Sequence, residues 1–315
     1  MGLLTANLAC TTCEQQFSTL DVGGAQVPVI NGDATFSRQL AQLGEQLFAD
    51  PQQLRAWLEG DDPLQRAMAG GLVTYAQAHY GQFAEPPLPS ADLGWLRGWL
   101  PRNLPDGDIA LLGCGTGGEL LAIEADLPDD RSVWLADANL AALAWGKMLA
   151  IQGLIPLPYR ESATRLGWST AQIPQSCQHV LSRAHWLCCD ALRPPWPAAS
   201  LAAVITVGLI DSVADPIALI QQVEALLAPG GVWLLATPWN WQEAVTPQNR
   251  QLERFVDGSD LDDGVAKLLT GCMIPGLGAE LRIDRRELGV TWRLPVHGRM
   301  TVEYLLDVLL LRKID

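Results

Sequence analysis

At 315 residues, 49% of them apolar, the chain is long enough for one large domain plus an appendage around a substantial core. Its 21 Lys and Arg against 35 Asp and Glu leave a formal net charge of −14, which argues against nucleic acid and against an anionic membrane surface as partners. Seven scattered cysteines fit reduced thiols rather than a disulfide framework, and with no long uncharged apolar span and no basic-then-apolar leader the chain reads as cytoplasmic.

Residues 1–36 open with a C-x-x-C at Cys10 and Cys13, followed by short β-like runs and a V-P-V-I-N-G string. The segment resembles a degenerate form of the small zinc-ribbon module of Trm112-like proteins. A structural zinc takes four ligands, and the next cysteine is Cys114, inside a glycine turn. The expectation is therefore a metal-free β-module, used for packing or for a homodimer contact. A redox pair is not expected, because no βαβ unit surrounds it. Residues 37–100 read as helical. Ser37 is an N-cap, Pro51 starts a further helix, and Ser90 caps one that carries Trp95 and Trp99. Within GLVTYAQAHYGQF, Tyr75 and His79 share a helical face, with Tyr80 beside them.

From residue 101 the pattern becomes strand, turn, helix. IALLGCGTGGE (109–119) is a buried strand running into a glycine turn and a helix start, and VWLAD closes a second strand at Asp137. Glycines let a backbone approach a ligand, a helix start offers unpaired N–H groups, and a carboxylate after the next strand can accept both hydroxyls of a ribose. This is a Rossmann-like α/β arrangement for a nucleoside cofactor. The glycines satisfy G-x-G-x-x-G through Gly113, Gly115 and Gly118, and equally G-x-G-x-G through Gly113, Gly115 and Gly117, so the loop alone leaves the cofactor open.

Residues 155–185 contain several prolines and read as a lid or specificity loop. WLCCD (186–190) is a third strand ending at Asp190, and LAAVITVGL (201–209) is a continuous apolar run suited to a central parallel strand, with Asp211 just beyond it. Asp215-Pro216 starts a helix that stops at Pro229-Gly230-Gly231, ahead of the strand VWLLATP. Two late strands, 279–294 and 301–313, meet at a His297-Gly298 turn.

The LLAPGG-strand element resembles the fifth-strand signature of class I S-adenosylmethionine-dependent methyltransferases, and the terminal strand pair is what closes their seven-stranded sheet. The resemblance implies that a helix from 37–100 covers the cofactor as a lid, and that 101–315 is the methyltransferase domain. It also implies S-adenosylmethionine at Gly113, Gly115 and Gly117, its ribose on Asp137, its adenine at Asp190 and its methionine end under Tyr75.

Three strings narrow the likeness. The Y-x-x-x-H-Y-G of Tyr75 to Gly81, the L-I-D of Leu209 to Asp211 with Asp215-Pro216, and TPWNWQEAVTP (237–247) are similar to strings in the methyltransferase domain of ovothiol biosynthesis enzymes. That likeness implies N-methylation of a thiohistidine-type imidazole, with Asp211, His79 and His297 as candidates for proton handling. Tyr80, Trp239 and Trp241 are the candidates for the substrate wall. A neutral imidazole is already nucleophilic near pH 7, so a base mainly selects the tautomer and removes a proton afterwards. The competing readings are a methyltransferase for another small nitrogen, oxygen or sulfur nucleophile and a non-catalytic assembly subunit. No metal is expected: the chain's four histidines show no ligand spacing.

Overall fold

Leu201–Val207 is apolar or small at every position, and six of its seven residues are buried, as a strand covered on both faces requires. It lies in the middle of the molecule's main sheet. The computed structural model describes residues 18–22, 25–29, 51–128, 130–256, 261–271 and 280–314. Cys10, Cys13 and Ser37 lie outside them.

In chain order the strands are β1 Ser18–Val22, β2 Ala25–Val29, β3 Asp108–Leu112 and β4 Val133–Asp137. Then follow β5 Leu154–Arg160, β6 Leu166–Gln172, β7 His185–Cys188 and β8 Leu201–Val207. β9 Leu227–Thr237, β10 Leu281–His297 and β11 Met300–Lys313 complete them. The helices are α1 Pro51–Glu59, α2 Pro63–Tyr80, α3 Gly118–Ile123 and α4 Leu140–Gln152. α5 Gln175–Arg183, α6 Pro216–Leu226 and α7 Leu261–Leu269 follow.

The main sheet runs β1-β2-β7-β4-β3-β8-β9-β11-β10, parallel from β2 to β9 and antiparallel at both ends. Seven of these strands form the expected sheet. Among the described residues the count is nine, because the β1–β2 hairpin joins its edge, Val29 pairing with Cys188. Val27 and Val29 are buried there, and the pairing covers an edge that β7 would otherwise expose. Alternate residues of the central strands feed two cores: Ile109 and Leu111 face one, Ala110 and Leu112 the other.

Other expectations are corrected. Residues 155–185 form an ordered unit, the antiparallel β5–β6 hairpin and α5, tied to α4 where Trp145 Nε1 donates to the Pro156 carbonyl at 3.0 Å. No α-helix follows Ser90. Three prolines at 86–89 and glycines at 94 and 98 leave one 3₁₀ turn, Gly94–Leu96. α6 stops at Leu226, and Pro229-Gly230-Gly231 lies inside β9 as a bulge. β8 pairs Leu201 with Leu227 and then Ala203 with Val232, so the glycines absorb the extra residues. The start of α2 was not anticipated: Asp62 caps it, accepting from the Leu64 amide at 2.8 Å, with Pro63 at the first position.

α4 is buried at ten of its thirteen positions because α2 and the β5–β6 hairpin cover the face turned from the sheet. Asn139 caps its start and Gly153, at φ 71°, ends it. Gly146 lets it approach closely: a Cβ there would stand 2.5 Å from the Thr116 carbonyl oxygen and 2.7 Å from Trp186. Gly146→Ala is expected to destabilise the protein by about 1–3 kcal/mol in urea unfolding, despite alanine's better helix propensity. Gly70→Ala, in α2 with nothing within 4 Å of the new methyl, is expected to stabilise by up to about 1 kcal/mol.

Candidate functional site

The carboxyl ends of β3, β4, β7 and β8 converge on a cavity of about 380 Å³, within the roughly 300–1,000 Å³ typical of small-molecule sites. Tyr75, Gly113, Gly115, Asp137, Asp190 and Leu209 are among its walls. In an open parallel sheet this is where ligands bind.

Asp137, the last residue of β4, is the best-fixed group in it. Its Oδ2 accepts from the Gly115 amide at 2.7 Å and its Oδ1 from the Asn139 amide at 2.6 Å. Burial pushes its carboxyl up from the usual range, and those two amides pull it back. The Ala138 amide adds to that pull. The glycine loop beside it runs through positive φ at Gly113 (75°), Gly115 (54°) and Gly117 (81°). A Cβ on Gly115 would stand 3.5 Å from the Tyr75 ring, so that ring lies across the loop. Gly117 faces away from the cavity, its missing Cβ lying 2.7 Å from Trp186.

Asp190 lies two residues beyond β7. Its Oδ1 accepts from the Leu192 amide at 2.9 Å, and its Oδ2 is 3.5 Å from Arg193 Nε. Cys189 and Ala191 flank it in the cavity wall. Burial pushes the Cys189 thiol far up, so it is a neutral wall rather than a nucleophile.

Asp211 follows β8 in the 3₁₀ turn Ile210–Ser212 and is 3% exposed. Its Oδ2 accepts from the Asn240 amide at 2.9 Å, whereas Oδ1 is buried with no hydrogen-bond partner among the described residues. Burial pushes its carboxyl up to about 6, against the pull of that amide and of the nearby Thr237 and Ser212 hydroxyls. The flanking Leu209 and Ser212 line the cavity, while Asp211 itself lies just behind that lining. Negative charge on Asp211 helps hold both Tyr75 and Tyr304 above the usual phenol range, after burial.

The other expected side chains lie elsewhere. Tyr80 is fully buried behind the loop, donating to the Thr116 carbonyl at 2.9 Å with its ring against Trp145. His79 is buried there too. Its Nδ1 accepts from the Gly118 amide at 3.2 Å and lies 2.8 Å from the Thr116 hydroxyl, which puts the ring proton on Nε2, 3.4 Å from Glu119. The shared face of Tyr75 and His79 straddles the loop: one residue meets its cavity side, the other its back. His297 sits at the β10–β11 turn, accepting from the Arg299 amide at 3.2 Å, outside the cavity lining. Trp239 and Trp241, rings 6.1 Å apart, are also outside it. Trp239 Nε1 donates to buried Asp307, which pairs with Arg286 as well. From that loop Gln242 and Val245 line the cavity instead.

Sequence reasoning missed the aromatic pair Trp292–Tyr304, directly opposite on β10 and β11 with rings 5.6 Å apart. Trp292 lies 4.0 Å from where a Cβ on Gly208 would be, at the end of β8. Alternation along two late strands was the available signal, but it does not show which face meets the site.

Among the described residues no group of three or more His, Cys, Asp or Glu could hold a metal ion, and no helix is long and apolar enough to cross a membrane. The left-handed glycine loop, the fixed Asp137 and a partly apolar wall that includes Asp190 fit a nucleoside cofactor.

Residues 99–295, more than half of the chain, match the family model described as a methyltransferase domain. No curated protein matches. A solved S-adenosylmethionine-dependent methyltransferase from Methanosarcina mazei is 18% identical, covers 69% of this chain and 95% of its own, and has a TM-score of 0.40. Another from Aquifex aeolicus is 10% identical, with 68% and 86% coverage and a TM-score of 0.38. A structure reported for the conversion of a disulfide into a thioacetal in echinomycin biosynthesis is 14% identical, with 67% and 77% coverage and a TM-score of 0.41. The chain belongs to the methyltransferase-domain family.

Proposed function

We propose that the enzyme methylates a ring nitrogen of a small, thiolated imidazole amino acid, with Asp211 as the group that orients and then deprotonates it. The observation that carries the reading is the Asp211 carboxylate, buried at the end of β8 with one oxygen unpartnered and two tyrosines within reach of its charge. The three strings shared with ovothiol-type domains support the substrate class.

S-adenosylmethionine, the cofactor of this reading, would supply an electrophilic methyl on a sulfonium when bound. The residues of the chain do the rest. Gly113 and Gly115 admit the amino-acid tail, Asp137 takes the ribose hydroxyls, and Asp190 with its flanking backbone meets the adenine edge. The Tyr75 ring closes over the glycine loop and excludes water, the part we assign to the 37–100 segment as a lid. Asp211 Oδ1 accepts an imidazole N–H, which leaves the lone pair of the other ring nitrogen for attack. Asp211 then takes the proton released by methylation. What these residues contribute to the rate is positioning: they would hold the nucleophile in line with the methyl. His79, Tyr80 and Gly117 act behind the loop, as positioning residues.

Transfer of labelled methyl into a panel of 5-thiohistidine, histidine, phenols and aliphatic thiols tests the substrate class. The expected result is at least about a tenfold advantage in kcat/KM for the thiolated imidazole. A phenol or a thiol as best substrate, or no transfer to any of them, contradicts it.

Asp211→Asn is expected to lower kcat by about a hundredfold or more while leaving cofactor-product affinity within about twofold. Wild-type kcat is expected to rise with pH through about 6 as Asp211 ionises. Stability gives an independent check. The folded value of about 6 lies above the ordinary 3.8, so ionised Asp211 costs the fold nothing below pH 4, and the cost grows between pH 4 and 6. Asp211→Asn should thus gain up to about 3 kcal/mol in chemical denaturation at pH 8, and nothing at pH 4.

A further inference from the structure

Glu119, in the first turn of α3, is 5% exposed, and its carboxylate is only half accounted for. Oε1 lies 3.4 Å from His79 Nε2, whereas Oε2 is buried with no hydrogen-bond partner among the described residues. Among the described residues no lysine or arginine pairs with it. The side chain lines a small void of about 10 Å³ together with Gly113, Cys114, Ile205 and Val207. That void shares Leu112, Gly113 and Val207 with the cofactor cavity, so it opens off the cavity between the glycine loop and the end of β8.

Its volume is close to one solvent sphere, room for a single water or ammonium group. Apart from the carboxylate, its side-chain walls are Leu111, Leu112, Ile205, Val207 and the Cys114 thiol, which burial keeps neutral. An orphaned carboxylate oxygen in such surroundings is costly, and a cation entering the void offsets that cost. The charge of Glu119 also reaches across the loop, helping to hold Tyr75, Tyr80 and Asp137 above their ordinary ranges after burial. A cation at Glu119 would relieve all of these groups together. The cofactor's amino-acid tail ends in a primary ammonium, the right charge and size for the void.

We propose that Glu119 binds the α-ammonium of the methionine portion of S-adenosylmethionine, seating the tail behind Gly113. His79 Nε2 stands 3.4 Å from the other carboxylate oxygen and, among the described residues, also lacks a hydrogen-bond partner.

Calorimetry on the full chain with S-adenosylhomocysteine, and with its analogue in which the α-ammonium is replaced by hydrogen, tests this without relying on turnover. Wild-type protein is expected to bind the analogue at least about tenfold more weakly, as loss of a charge-assisted hydrogen bond predicts. Glu119→Gln should weaken S-adenosylhomocysteine by a similar factor and leave the analogue within about twofold, erasing the discrimination. Glu119→Met, which fills the same space without charge, should behave likewise and keeps the test open if the glutamine variant folds poorly. Equal weakening of both ligands in a folded variant, or discrimination that survives either substitution, overturns the assignment, as does a wild type that fails to discriminate.

Discussion

The two hydrogen bonds from the Gly115 and Asn139 amides to the Asp137 carboxylate organise the whole cavity. One joins the end of β4 to the glycine loop that follows β3; the other joins it to the cap of α4. A carboxylate held this way is oriented before any ligand arrives, and it lines the cavity where we propose the ribose binds. Preorganisation of this kind lowers the cost of ordering the site on binding. The glycine at 115 follows from its φ of 54°, a left-handed backbone that side chains rarely adopt, and not from crowding, since a Cβ there would meet the Tyr75 ring at an ordinary 3.5 Å.

Behind the loop a second set of contacts keeps it from relaxing. Tyr80 holds the Thr116 carbonyl, His79 the Gly118 amide, and Gly146 lets α4 approach to 2.5 Å of where its missing methyl would meet the same carbonyl. The loop is thus clamped by α2 on one side and α4 on the other, and the sheet ends beneath it. Residues that read as substrate or catalytic groups from their type alone turn out to be the clamp. Their chemistry is spent on backbone amides and carbonyls, which a buried loop must satisfy internally.

The sheet was legible because its signals are local. Glycines between an apolar strand and a helix, carboxylates at strand ends, and a Pro-Gly-Gly before a hydrophobic run each carry a specific backbone demand. They located β3, β4, β7, β8 and β9 along the chain, whereas the seven-stranded sheet was what the methyltransferase resemblance implied. What escaped was set by tertiary contact. The β1–β2 hairpin joins the main sheet through one edge pairing that no sequence pattern announces. The 155–185 segment looks loose from its prolines, yet Pro156 and Pro158 sit in a two-stranded hairpin whose backbone is tied to Trp145. In the site, Asp137 and Asp190 were visible as strand-end acids, whereas Trp292 and Tyr304 were not, because their relation to Gly208 depends on how the late hairpin folds back. Where His79 and Tyr80 pack was hidden for the same reason: the helix face was clear, but which side of the loop it met was not.

The central claim is that Asp137, fixed by those two amides, is the ribose anchor. A crystal structure of the complex with S-adenosylhomocysteine tests it most directly. The account predicts both ribose hydroxyls within about 3 Å of the Asp137 oxygens, with the Gly115 and Asn139 hydrogen bonds intact. A ribose bound elsewhere in the crevice, or an Asp137 side chain turned away from it, would contradict the account.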